Sequence, residues 1–374
     1  MNRMPLTAEF LEEMGRRFGL RGKLVDAAPW GSGHINDTYR VAYQRDGEQV
    51  RYIHQRLNTR VFRDPVALMT NIRRVCAHIA AKTGAGGSGE AVSQRALELI
   101  ESVDGKPYWV DDEGHYWRTF AFIEGATTRD VIGSVDEAYE IAKAFGCFQA
   151  MLNDFPANRI VDTIPGFHDT RRRLEALERA IEEDPLGRVS RAGTEIGFAR
   201  SRQGLAGVLL DLRDSGEIPL RVTHNDTKAN NVLLDARTGA GICVIDLDTV
   251  MPGLSLYDFG DLVRGTASAT AEDVRDPGNV RARPEIFEAL VRGFFSTAGS
   301  FLNQVERDHL VTSGMVLSYE LGLRFLTDFL GGDHYFRTTR EAQNLDRCRA
   351  QFALLRDLEH QEPELHSIVA RLPR

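Results

Sequence analysis

The order of apolar and polar residues divides the chain into a strand-rich first third and a mainly helical remainder. Phe10, Leu11, Met14 and Phe18 lie on one face of a predicted helix, and a second helix is predicted over Pro65–Ala81. Short alternating or apolar runs bounded by turn residues predict strands. They lie around Leu24–Val25 and at Thr38–Tyr43, Val50–Leu57, Leu97–Ile100, Pro107–Val110 and Tyr116–Ile123.

The pattern changes at Glu124–Gly125, after which helical periodicity dominates. Helices are predicted behind Ser134, over Thr170–Ile181 and over a long stretch from Glu195 to Asp214. We therefore place a hinge at Ala121–Gly125 and predict an α+β protein of two lobes. Residues 1–122 form an N-lobe with an antiparallel sheet and helices, and residues 123–374 form a mainly helical C-lobe.

Composition restricts the classes of function. The 374 residues carry a formal net charge of −8, with 42% hydrophobic and 27% charged residues, which is ordinary for a soluble globular protein. The acidic balance argues against nucleic acid or an anionic membrane as a partner. The four cysteines are widely spaced and predict free thiols in a reducing compartment. With no apolar signal segment at the start, we expect a cytoplasmic protein.

One stretch carries the most specific chemistry. It reads His224-Asn225-Asp226-Thr227-Lys228-Ala229-Asn230-Asn231, and a hydrophobic run ending at Asp246 follows after a turn. This order of residues is typical of kinase-type phosphotransferases. Asp226 is predicted to be the general base that accepts the proton of an attacking hydroxyl. Asn231 and Asp246 supply the hard oxygen ligands that Mg²⁺ prefers. The overall fold is therefore predicted to be two-lobed and protein-kinase-like.

Three neighbouring residues receive secondary roles. Lys228 is predicted to neutralise charge on the transferred phosphoryl group. Asp248, two residues after Asp246, is expected on the same side of the strand as a supporting acid. Asp258-Phe259-Gly260 spells the magnesium motif of protein kinases, but it lies beyond the Pro252-Gly253 turn and opens a helix. We predict that Asp258 instead ties down the backbone of the catalytic loop.

Nucleotide binding is predicted to involve the N-lobe and the hinge. The strand–glycine turn–strand pattern at Trp30–Asp37 suits a loop that folds over phosphates, with Ser32, Gly33, His34 and Asn36 as candidates. Side chains alternate along Val50–Leu57, so Gln55 and Arg56 cannot both face the nucleotide. Charge favours Arg56, while Gln55 remains open.

A kinase often carries a Glu on the helix at Pro65–Ala81, where it pairs with the cation that contacts the phosphates, but this helix contains no acid. Either the ion pair is absent, or Asn71 replaces the acid. Adenine is expected on backbone groups of the hinge, at Ala121 and Ile123.

The blocks His224–Asp235 and Val244–Arg264 resemble the aminoglycoside/choline-kinase-like phosphotransferases. Three segments are most similar in sequence to bacterial N-acetylhexosamine 1-kinases, namely Ile35–Tyr39, Gln55–Phe62 and Val244–Gly253. The resemblance runs from about Trp30 to Arg349. It implies ATP and Mg²⁺ as cofactors, phosphorylation of the anomeric 1-hydroxyl of GlcNAc or GalNAc, and the roles given above for Asp226, Asn231, Asp246 and the Ser32–Asn36 lid.

The resemblance also implies an acceptor pocket closed by C-terminal helices, with Arg324 and Tyr335 contacting the sugar. Two alternatives stay open: the same chemistry on an aminoglycoside, choline or homoserine, and a non-catalytic nucleotide-binding relative. The presence of Asp226, Asn231 and Asp246 argues against the second alternative. The sequence leaves the preferred sugar, the nucleotide preference and the oligomeric state undetermined.

Overall fold

The computed structural model describes residues 6–31, 35–84 and 96–373. The chain forms two compact units, of which the first contains residues 1–126 and the segment Ile160–Ile164, and the second contains Thr127–Arg159 and Pro165–Arg374. The boundary expected after Phe122 lies shortly before this division and stays a prediction. Within the described ranges, no helix is both long enough and apolar enough to cross a bilayer.

The first unit is an antiparallel sheet with two helices. Its helices are α1 (Ala8–Arg17) and α2 (Pro65–Gly84), and its strands are β1 (Lys23–Pro29), β2 (Asp37–Arg45), β3 (Glu48–Arg56), β4 (Leu99–Ile100), β5 (Trp109–Val110) and β6 (Tyr116–Ala121). The strand order is β1-β2-β3-β6-β4, and β5 also pairs with β6.

Apolar residues of helix α1 cover one face of this sheet. Met14 and Phe18 pack with Tyr39 of β2 and Trp117 of β6, and all four side chains are buried. Thr7 caps the helix by accepting the N–H of Phe10. The predicted amphipathic face is therefore the face that the helix buries.

The second unit is mainly helical. Its longer helices are α3 (Val135–Leu152), α4 (Thr170–Glu183), α5 (Gly193–Ser201), α6 (Val208–Asp214), α7 (Ser255–Thr266), α8 (Pro284–Ala298), α9 (Gln304–Asp308), α10 (Leu310–Gly331) and α11 (Gln343–Ala370). Strand β7 (Ala126–Thr127) crosses the division between the units, and the short strands β8 (Arg221–Thr223), β9 (Val232–Asp235), β10 (Gly241–Val244) and β11 (Met251–Gly253) lie between α6 and α7.

The prediction of one long helix over Glu195–Asp214 is wrong in detail. The structure has α5, a 3₁₀ turn at Gln203–Ala206 and then α6. Gly204 and Gly207 lie at the interruption. Glycine in a helix interior costs about 1 kcal/mol relative to alanine, so two glycines close together favour a break that periodicity alone does not reveal.

Candidate active site

Two short antiparallel strand pairs present the catalytic loop. Strand β8 pairs with β11, with Thr223 opposite Met251, and the loop His224–Lys228 follows β8 directly. Strands β9 and β10 form the hairpin that starts after Asn231, with Val232 opposite Val244. Such a framework suits the predicted general base, because a base must be held within hydrogen-bond reach of the proton that it accepts.

The buried carboxylate of Asp258 holds the start of the catalytic loop. Its Oδ2 accepts the N–H of His224 at 3.0 Å, and its Oδ1 accepts the N–H of Asn225 at 2.7 Å. Gln149 donates to the same carboxylate at 2.6 Å. The side chain of Thr249 donates to the carbonyl of His224 at 2.7 Å. The predicted structural role of Asp258 is confirmed.

The rest of the Asp258-Phe259-Gly260 motif is also structural. The ring of Phe259 is fully buried and lies 5.4 Å from that of Phe294 between centroids. A Cβ added at Gly260 would lie 2.4 Å from the carbonyl oxygen of Ser313, so α7 and α10 approach each other closely only because this residue is glycine. Next along α7, Asp261 accepts the N–H of Thr227 at 2.8 Å and thereby holds the middle of the loop.

The carboxylate of Asp226 lies between Lys228 and Asn231. The ammonium of Lys228 is 2.9 Å from its Oδ1, and the Nδ2 of Asn231 is 3.2 Å from its Oδ2. Burial by itself raises the pKa of Asp226, but the adjacent Lys228, together with His224 and Arg264, outweighs burial and holds the pKa below its ordinary value. Asp226 is therefore ionised at neutral pH, as a proton acceptor must be. In the same pair, the negative charge of Asp226 raises the pKa of Lys228.

Asn231 and Asp246, the predicted magnesium ligands, both carry side-chain oxygens of the kind that this ion prefers. Asn231 uses its Nδ2 for the carbonyl of Asp226 at 2.8 Å, which directs its amide oxygen elsewhere. The N–H of Ile245 donates to the carbonyl of Asn231 at 2.9 Å. Asp246 is the next residue along the chain, so its backbone lies near Asn231. In the part of the chain that the structure describes, no cluster of three or more His, Cys, Asp or Glu side chains could hold a metal. One carboxylate and one amide still fit Mg²⁺, because this ion completes its shell with water and phosphate oxygens.

The prediction that Asp248 lies on the same side of a strand as Asp246 is wrong, while its role as a supporting acid stays a prediction. Strand β10 ends at Val244, Asp246 has a left-handed backbone with φ 60°, and a 3₁₀ turn occupies Leu247–Thr249. The alternation of a strand therefore does not apply between Asp246 and Asp248. Asp246 is exposed, while Asp248 is buried with 3% exposure.

In the first unit, Arg56 has an acidic partner that the sequence did not indicate. Asp37, directly opposite on β2, accepts the Nε of Arg56 at 3.0 Å, and both side chains are largely buried. The suggestion that Asn71 replaces the acid is wrong. The side-chain amide of Asn71 instead donates to the carbonyl of Val161 at 2.8 Å and accepts its N–H at 3.0 Å. Arg56 as a nucleotide residue stays a prediction.

Gln55 and Arg118 form a second cross-strand pair on the opposite face. The Nε of Arg118 donates to the Oε1 of Gln55 at 2.8 Å, and Gln55 donates to Thr38 at 2.9 Å. Arg118 also approaches the sulfur of Met69 on α2 at 3.9 Å and is 1% exposed. The buried cation that faces α2 is therefore Arg118 of β6, whereas the sequence had indicated candidates only on β3.

The other predicted nucleotide residues are described only in part. Ser32, Gly33 and His34 lie outside the described residues. The Oδ1 of Asn36 accepts the N–H of Asn58 at 3.0 Å, so this side chain fixes the loop to the end of β3. The N–H of Ala121 donates to the carbonyl of Glu98 at 3.0 Å and is used within the sheet. Contacts of adenine with Ala121 and Ile123 stay predictions.

Arg324 and Tyr335 lie together in the second unit. The guanidinium of Arg324 donates to the hydroxyl of Tyr335 at 3.3 Å and lies 5.0, 5.6 and 5.5 Å from the ring centroids of Phe167, Tyr335 and Phe336. Among the described residues, no carboxylate lies within ion-pair distance of Arg324. Among these residues, Arg324 is therefore not part of a helix-to-helix salt bridge.

Asp328 fixes the turn that presents Tyr335. Its Oδ1 accepts the N–H groups of His334 and Tyr335 at 2.9 and 2.8 Å, and its Oδ2 accepts that of Phe336 at 2.9 Å. The ring of Tyr335 is thereby held although the residue is 61% exposed. Sequence reasoning gave no role to Phe167, whose contact with Arg324 is distant in sequence, or to Asp328, which accepts backbone N–H groups of the turn that follows it.

Comparison with known proteins gives a family and a fold. The model of the phosphotransferase enzyme family matches residues 26–294. Spectinomycin phosphotransferase APH(9)-Ia, solved with ADP and spectinomycin, is similar with a TM-score of 0.55 and 14% identity over 98% of this chain and 99% of that chain. An aminoglycoside phosphotransferase from Alicyclobacillus acidocaldarius has a TM-score of 0.58 and 12% identity over 93% of each chain.

A third similar structure is choline kinase from Cryptosporidium parvum, with a TM-score of 0.55 and 13% identity over 91% of this chain and 89% of that chain. At these identities the likeness concerns the fold. It confirms the predicted kinase-like class, with an antiparallel sheet in one unit and mainly helices in the other.

Proposed function

Since this chain belongs to the phosphotransferase enzyme family, we propose that it transfers the γ-phosphoryl group of ATP to the anomeric 1-hydroxyl of an N-acetylhexosamine, GlcNAc or GalNAc. The observation that carries the chemistry is the position of the Asp226 carboxyl group, which Lys228 and Asn231 contact from two sides. ATP as the donor is supported by the ADP bound to the similar spectinomycin phosphotransferase.

In the proposed reaction, Asp226 accepts the proton of the sugar hydroxyl as the sugar oxygen attacks the γ-phosphorus of ATP, and the bond from that phosphorus to the β,γ-bridging oxygen breaks to release ADP. Asn231 keeps the carboxylate in one orientation, since it contacts both the side chain and the backbone carbonyl of Asp226. Lys228 is half exposed, so its ammonium can also face an incoming phosphoryl oxygen. Asn231 and Asp246 would hold the magnesium ion, which neutralises charge on the nucleotide phosphates when bound.

The surroundings of Arg324 support a neutral polyhydroxylated acceptor. Aromatic rings that bind a quaternary ammonium do so through their negative faces. Here the guanidinium already lies near the faces of Phe167, Tyr335 and Phe336, so choline would meet a positive charge. A polycationic aminoglycoside would meet the same repulsion. A sugar instead offers hydroxyl and carbonyl oxygens to the fixed donors of arginine.

We expect Arg324→Lys to raise the Michaelis constant for GlcNAc or GalNAc while that for ATP stays nearly unchanged. Lysine offers a point charge in place of the planar fork, so the directed donors to the sugar are lost. The melting temperature should change little, because Arg324 makes no ion pair among the described residues. Unchanged sugar kinetics with a large fall in melting temperature would make Arg324 a structural residue.

A panel assay tests the acceptor. ADP release with magnesium-ATP is measured with free N-acetylhexosamines, glucose, choline, homoserine and aminoglycosides. We expect the N-acetylhexosamines to give the highest kcat/KM. A higher value for choline or an aminoglycoside would replace the sugar assignment while keeping the kinase chemistry.

A further inference from the structure

His168 connects the catalytic loop to helix α10. Its ring is buried, with Nδ1 2.8 Å from the Oε1 of Glu320 and Nε2 3.0 Å from the backbone carbonyl of Asn225. Thr170 donates to the other oxygen of Glu320 at 2.7 Å, so both carboxylate oxygens have partners. His168 belongs to no kinase motif, and the proposed chemistry gives it no role.

The two partners determine the protonation state of the ring. A carboxylate oxygen and a backbone carbonyl are both acceptors, and neutral imidazole donates through only one nitrogen. While Glu320 is ionised, both hydrogen bonds therefore require the imidazolium form. Burial alone lowers the pKa of His168, but the charge and hydrogen bond of Glu320, together with Asp261 and the Asn225 carbonyl, outweigh burial and leave the pKa above the ordinary value. Burial raises the pKa of Glu320, and His168, together with Arg324 and the hydrogen bond from Thr170, brings it below the usual range.

The bond to Asn225 acts on the peptide unit that leads into Asp226. Asn225 has a left-handed backbone with φ 64°, so this peptide depends on its neighbours to keep its orientation. Its carbonyl end is held by His168, and its N–H end, on Asp226, lies 3.3 Å from the Nδ1 of His224. Fixing both ends of one peptide plane fixes the direction in which the Asp226 side chain leaves the backbone.

We propose that His168, charged and paired with Glu320, is a positioning residue for the catalytic base. This inference rests on the proposed role of Asp226. Glu320 lies one helical turn before Arg324 on α10, and the two charges interact. The helix that carries the proposed sugar-binding arginine therefore also supports the ring that orients the base.

Two substitutions separate the two hydrogen bonds of the ring. The amide of Gln places its nitrogen near the position of the imidazole Nε2, and that of Asn places its nitrogen near Nδ1. His168→Gln therefore keeps a donor for the Asn225 carbonyl, while His168→Asn keeps only a donor for Glu320. Both remove the charge and leave a polar amide, so each is the control for the other.

We expect H168N to lower kcat by about 10- to 100-fold, since small misplacement of a reacting group costs rates of that order. H168Q should retain most of the wild-type kcat, and both should keep the wild-type KM for ATP. Equal losses in the two variants, or losses that follow the melting temperature, would reduce His168 to a packing residue. The assay uses whichever member of the panel the wild type phosphorylates. An error in the sugar assignment would therefore show in the substrate preference of the wild type. An error in this inference would show in the ratio of kcat between H168N and H168Q.

A spectroscopic measurement on the wild-type protein tests the charged state of His168 directly. With ¹⁵N-labelled histidine, and H168Q used to assign the signal, His168 should show two protonated ring nitrogens at neutral pH. A neutral ring would overturn the proposed pairing of a charged His168 with Glu320.

Discussion

Asp226→Asn should lower turnover by about 10²- to 10⁴-fold while the affinity for ATP remains. The substitution keeps the size and planarity of the side chain and removes its ability to accept a proton. ATP binding should persist because the predicted nucleotide contacts are elsewhere in the chain. The measurements are kcat by ADP release and the dissociation constant for ATP by calorimetry.

The control for this variant is Asp211→Asn. Asp211 is an exposed acid on α6 whose carboxylate pairs with Arg171, so its replacement removes a surface ion pair of little energetic value. It should leave kcat unchanged. Near-normal turnover by D226N, or an equal loss in both variants, would remove Asp226 from the role of base.

Asp246→Ala and Asp258→Ala should have opposite phenotypes. Asp246 is exposed at the end of the hairpin, so its loss should abolish the magnesium dependence of the reaction with little effect on folding. Asp258 is fully buried and accepts the N–H groups of both His224 and Asn225. Its loss leaves these donors unsatisfied, which should lower the free energy of unfolding by at least about 2 kcal/mol.

The test of this pair combines a magnesium titration of ADP release with thermal unfolding of each variant. Exchanged phenotypes, with D246A unstable and D258A folded but unresponsive to magnesium, would place the metal on the literal Asp-Phe-Gly motif. Because both variants carry the same Asp-to-Ala change, a difference between them reflects the position of the residue and not the type of substitution.

The catalytic loop could be predicted from the sequence because its chemistry and its spacing are local. Asp226, Asn231 and Asp246 lie within one strand–loop–hairpin unit, so the order of residues alone places them close together. The same reasoning separated Asp258 from the metal ligands, since a helix start lies beyond the Pro252-Gly253 turn. It failed at Asp248, because the left-handed backbone at Asp246 ends the alternation of the strand.

The contacts made across the fold could not be predicted in this way. The acidic partner of Arg56 is Asp37 on the neighbouring strand, whereas an acid was expected on α2. His168 and Glu320 are far apart in sequence and meet only because the start of α4 packs against α10. Periodicity describes which face of an element is buried, and it carries no information about which polar group lies opposite.

The most direct test of the account is the identity of the phosphorylated product. Wild-type protein and D226N are incubated with magnesium-ATP and GlcNAc, and the products are analysed by ³¹P NMR with coupling to the sugar protons. We expect the wild type to give a phosphate coupled to the anomeric proton and D226N to give almost none in the same time. A phosphate on another hydroxyl, no sugar phosphate at all from the wild type, or equal product from D226N would contradict the proposed reaction.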